Sequence, residues 1–66
     1  SALGKLMKTL SRLEKKNKDH AKIPEVRHYM IQIYRKLGDE KTARAKEQEL
    51  ITLAPESKWA KAYAAK

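Results

Sequence analysis

The sequence predicts an all-α chain of four helices joined by short loops, the last helix short. Three observations carry that expectation. Leu3, Leu6, Met7, Leu10 and Leu13 recur at helical spacing with lysines on the opposite side. Pro24, Gly38 and Pro55 punctuate the chain where helices start or stop. Between those marks the apolar residues keep a helical period, so no strand is predicted.

The first helix runs from Leu3 to about Lys16–Lys18, where Lys15-Lys16-Asn17-Lys18-Asp19 breaks the apolar spacing with residues that favour caps and solvent. Pro24 suits the first turn of a second helix, where a missing N–H costs nothing, and Glu25 complements the positive helix terminus. That helix covers about 24 to 37. Val26, Met30, Ile33, Tyr34 and Leu37 form its inner stripe, Ile31 broadens it, and Gly38 supplies a left-handed end. Asp39 caps a third helix from about Glu40 to Leu53, with Ala43, Leu50, Ile51 and Leu53 inward. Ala54-Pro55 stops it. Ser57 caps a last short helix on which Trp59, Ala60 and Tyr63 share a face, and Ala62, Ala64 and Ala65 raise its propensity.

Sixty-six residues allow one domain at most, and at this size folding buries only roughly 60% of the surface of the unfolded chain. A large enzyme core is not expected. The absence of cysteine removes disulfides and thiolate zinc sites as staples. Apolar runs are far shorter than the roughly 20 residues that span a bilayer, and no charged-then-apolar leader opens the chain, so a soluble chain of unassigned location is expected. Sixteen Lys and Arg against eight Asp and Glu give +8, which favours acidic partners. The excess is local: residues 1 to 22 hold seven basic side chains (Lys5, Lys8, Arg12, Lys15, Lys16, Lys18, Lys22) against Glu14 and Asp19.

A shift of 34 residues lays Leu3-Gly4 on Leu37-Gly38, each followed by a helix with inner apolar positions. With Pro24, Tyr34 one turn before Leu37-Gly38-Asp39, small Ala43, and Pro55 after Leu53-Ala54, the chain resembles a tetratricopeptide repeat (TPR). On that resemblance the helices fold as antiparallel hairpins, with residues 24–57 one full repeat, 3–19 the second helix of a preceding one, and 58–65 an opening or capping helix, about 1.5 to 2 repeats; the alternative is an ordinary three- or four-helix bundle. Departures are Arg27 for an early aromatic, Ile31 for a small residue, Glu47 for an aromatic and Thr9 for alanine. A single hairpin cannot bury both faces, so the chain is expected to belong to a longer array or to complete its core against a partner or a second copy, helix exchange included.

Chemistry-bearing motifs are sparse. Gly4 and Gly38 are the only glycines, which rules out GxxxxGK[ST] and GxGxxG phosphate loops, and there is no cysteine nucleophile. His20 and His28 lack i,i+4 spacing for a metal, and no cofactor is expected. Asp39-Glu40 fits a helix start, and Glu47 and Glu49 are read as a solvent face. No catalytic residue is assigned. The resemblance implies instead a non-enzymatic protein-interaction module, with the first helix of each repeat lining a groove. His28, Gln32, Arg35 and Lys36 form a row of donors able to hold carboxylates or backbone carbonyls of a peptide or helix. The same row also fits the wet side of an amphipathic helix. Trp59 and Tyr63 are candidate interface aromatics, with core packing as the plainer role. The alternative reading is a basic helical nucleic-acid-binding domain, although its four arginines are scattered over different helices.

Overall fold

The computed structural model describes residues 2–65, and among them the chain is all helical: α1 Ala2–Lys16, α2 Ile23–Lys36, α3 Glu40–Leu53 and α4 Lys58–Ala64. The helix ends follow the sequence logic closely. The Asp39 carboxylate accepts the Thr42 N–H at 3.1 Å and the Ser57 hydroxyl accepts the Ala60 N–H at 3.1 Å, so both foreseen caps form. At the end of α2, Gly38 takes φ +83°. Its N–H donates to Arg35 O at 3.0 Å and that of Asp39 to Tyr34 O at 2.8 Å, a Schellman closure. The start of α2 is different. Lys22 there makes no side-chain cap, and the turn is closed instead by Ile23 N–H to His20 O at 3.0 Å.

Contacts between α2 and α3 are antiparallel. Arg27 near the start of α2 meets Glu49 near the end of α3, whereas Arg35 near the end of α2 meets Glu40 at the start of α3. Likewise Leu10 of α1 packs on Met30 and Ile33 of α2. The fourth helix folds back to touch both α2 and α3, while the backbone of α1 approaches only α2. The α1 and α4 helices thus lie at different sides of the central hairpin, and the four form a slab of 33 × 26 × 14 Å rather than a closed bundle.

The core has two parts. Ile31, Ala43, Leu50, Ala54, Ala60 and Tyr63 join α2, α3 and α4; Leu10, Met30 and Ile33 join α1 and α2. Ile31 stands where the resemblance leads one to expect a small residue, yet it is wholly buried. It shares its core cluster with Ala43, Ala54 and Ala60, whose small side chains leave it room. Four residues read as inward-facing are exposed instead: Leu6 and Leu13 of α1, Leu37 after α2 and Leu53 at the end of α3.

Candidate functional site

The sequence-derived candidates His28, Gln32, Trp59 and Tyr63 converge where α4 crosses α2. The crossing exists because Ser57 starts α4 directly after the Pro55 stop, and Ala60 and Tyr63, one turn apart, drop into the core beside Ile31. Tyr63 carries its hydroxyl out between two polar side chains of α2: His28 Nδ1 lies 2.7 Å from Oη, and Gln32 Nε2 donates to Oη at 3.1 Å. Burial pushes the Tyr63 hydroxyl above its ordinary pKa, against the opposing effect of the Gln32 hydrogen bond, so it stays protonated at neutral pH. The His28 ring stacks on Trp59 at 5.9 Å between centroids, and Lys58 Nζ stands 4.8 Å over the indole. Trp59 also borders a shallow groove of about 440 Å³ shared with Lys18, Asp19, His20 and Leu53. His28 and Gln32 therefore engage α4 of their own chain through their polar atoms.

Arg35 and Lys36 part company. Arg35 grips Glu40 through Nε to Oε1 at 3.0 Å and Nη2 to Oε2 at 3.0 Å, and it also pairs with Glu47. The hydrogen bonds to Glu40 and Glu47 raise the guanidinium's pKa further, and the same contact lowers that of Glu40. Its fork is committed to α3. Lys36 remains exposed at the edge of an apolar groove between α1 and α2.

A second polar cluster escaped the sequence reading. Arg27 is buried, 7% exposed, with Nε 2.9 Å from Glu14 Oε2 and 3.4 Å from Glu49 Oε1. Lys46 Nζ adds bonds to Glu14 Oε1 at 3.0 Å and Glu49 Oε1 at 3.3 Å. Two cations and two carboxylates thereby tie α1, α2 and α3. Burial works to raise the Glu14 pKa, but hydrogen bonds from Arg27 and Lys46 outweigh it, and the carboxyl sits below its usual range. Burial likewise works to lower Lys46, and its bonds to Glu14 win, leaving it raised. This corrects the solvent-face reading of Glu47 and Glu49, because both are committed to cations of α2. The signal was present in Arg27, a charge on the inner side of an amphipathic helix, which demands a buried counter-ion.

Chemically the arrangement holds and presents side chains. Among the described residues no group of three or more His, Cys, Asp or Glu is placed to hold a metal, and no helix is long and apolar enough to cross a membrane. His20 and His28 serve separate contacts, Nδ1 of His20 accepting the Lys22 N–H at 3.1 Å. Compared with known proteins, the chain matches no family model, no curated protein and no solved structure.

Proposed function

We propose that the chain is a non-enzymatic, TPR-like interaction module that holds an acidic peptide or helix. The observation that carries this reading is the open stack. With α4 running parallel to α2 through the Trp59–His28 and Tyr63–Gln32 contacts, the order helix, antiparallel helix, parallel helix is the unit that a hairpin array repeats. Such a slab leaves wide helical faces to solvent, which suits recognition better than chemistry. All seven basic residues among positions 1 to 22 are exposed, so the available faces attract anions.

The same exposed cations favour a second reading, nucleic-acid binding through phosphate contacts. Binding of fluorescent acidic peptides, extended and helical, is measured beside binding of nonspecific duplex DNA over a salt series. The module reading expects peptide binding that survives physiological ionic strength and no duplex binding there. Duplex binding with a steep salt slope, and no peptide bound, overturns it.

A further inference from the structure

We propose that the exposed side of α1 and α2 built on Leu6, Leu13 and Tyr29 is the seat of an acidic amphipathic helix of a partner protein. This rests on the interaction-module reading and adds the surface and the chemistry of what it takes.

The chain contains its own template for the seat. Moving 34 positions forward carries Leu6, Thr9, Arg12, Leu13 and Tyr29 onto Glu40, Ala43, Lys46, Glu47 and Tyr63. Every member of the second set is turned toward α2 or its immediate network. Glu40 and Glu47 pair with Arg35. Ala43 is wholly buried in the core cluster that Ile31 joins. Lys46 shares Glu14 and Glu49 with Arg27, and the Tyr63 hydroxyl meets His28 and Gln32. Four of those positions hold α2, while Lys46 pairs with Glu14 of α1.

One repeat earlier the same positions make local contacts, the Thr9 hydroxyl donating to Lys5 O at 3.2 Å and the Tyr29 hydroxyl to Glu25 at 3.3 Å, and their apolar side chains stay exposed. Leu6 is 46%, Leu13 42% and Tyr29 49% exposed, three of the five exposed large apolar side chains. Thr9 and Arg12 are exposed as well. Beside them Leu3, Leu6, Leu10, Tyr29 and Ile33 line a groove of about 290 Å³ with Lys36 at its edge. Apolar side chains gathered on one side and rimmed by charge mark an interaction surface.

The residues also specify the occupant. Where Glu40 and Glu47 call for the arginine of α2, Leu6 and Leu13 call for an apolar stripe at i, i+3 or i+4, and i+7. Lys36 at the groove's edge and Lys16, one turn beyond Leu13 on α1, are both exposed and call for carboxylates on the flanks of that stripe. A second copy of this chain fits poorly. It brings a net charge of +8, with Lys58 and Lys61 on the exposed side of α4 and the lysines of α1, while Glu14, Glu40, Glu47 and Glu49 are already paired to their own cations.

The test uses a lactam-bridged synthetic helix with leucines on one face and glutamates on its flanks, titrated with the protein by fluorescence anisotropy, alongside a scrambled peptide and an extended acidic peptide. The helix is expected to bind the wild type. Leu6→Lys with Leu13→Lys weakens that binding by about tenfold or more, while Leu53→Lys, at an exposed leucine off this side, leaves it unchanged. Circular dichroism verifies the fold, and Tyr29→Lys, on the other helix, provides an independent measure should the double variant unfold. Equal binding to wild type and variants, or no binding of the helix, overturns the proposal. So does sedimentation showing wild-type dimers that the double variant abolishes, since the occupant is then a second copy. Binding of the extended peptide alone removes this seat and leaves the module reading standing, whereas duplex DNA binding alone removes both.

Discussion

Replacing Glu14 by alanine tests the account of what ties α1 to the rest of the chain. In the wild type this one carboxylate receives Arg27 at 2.9 Å and Lys46 at 3.0 Å, with side-chain exposures of 14%, 9% and 18%. Removing it leaves two largely desolvated cations sharing Glu49, which is 41% exposed and reaches them at 3.4 and 3.3 Å. Breaking a fully buried pair costs about 3–5 kcal/mol, and an exposed pair contributes about 0–1 kcal/mol. With Glu49 retained, the expected loss falls between, about 2 kcal/mol, or about 8–16 °C in Tm for a domain of this size. Thermal and urea unfolding followed by circular dichroism measures it. The pH dependence adds a second readout. Because Glu14 is depressed in the folded state relative to the unfolded chain, its contribution is present above the usual carboxylate range and is lost as pH falls through the lower folded value. Acid should therefore narrow the gap between wild type and Glu14→Ala. A variant within about 0.5 kcal/mol of wild type at neutral pH, the ordinary range for surface substitutions, would show that the cluster is solvated and the reasoning wrong.

Two further outcomes follow from single contacts. Gly38→Ala places a Cβ into open space but at φ +83°, so the cost is backbone strain alone, about 1–2 kcal/mol, read as a lower urea midpoint with unchanged slope. Tyr63→Phe keeps the buried ring and removes the hydroxyl that His28 and Gln32 share. It should cost about 1 kcal/mol, and near-ultraviolet titration should lose a tyrosine that ionises above the ordinary tyrosine range, because burial raises that hydroxyl. An unchanged tyrosine titration would show that Tyr63 is open to water.

The helices, their caps and the glycine-closed turn were all legible in the sequence because each is decided within one or two turns of chain. Asp39 and Ser57 accept N–H groups three residues on, and Gly38 takes the dihedral angle that a side chain resists. Periodicity likewise told which side of each helix was apolar. It could not tell which apolar residues would be covered, since Leu10 and Leu13 read alike yet Leu10 is buried against α2 while Leu13 stays exposed. Nor could it pair charges far apart in sequence: Glu14 with Arg27 and Lys46, or His28 and Gln32 with Tyr63, become partners only once α1, α2, α3 and α4 are laid against one another. Local sterics and capping are written residue by residue, whereas burial and long-range ion pairing depend on the three-dimensional placement of elements that no single helix encodes.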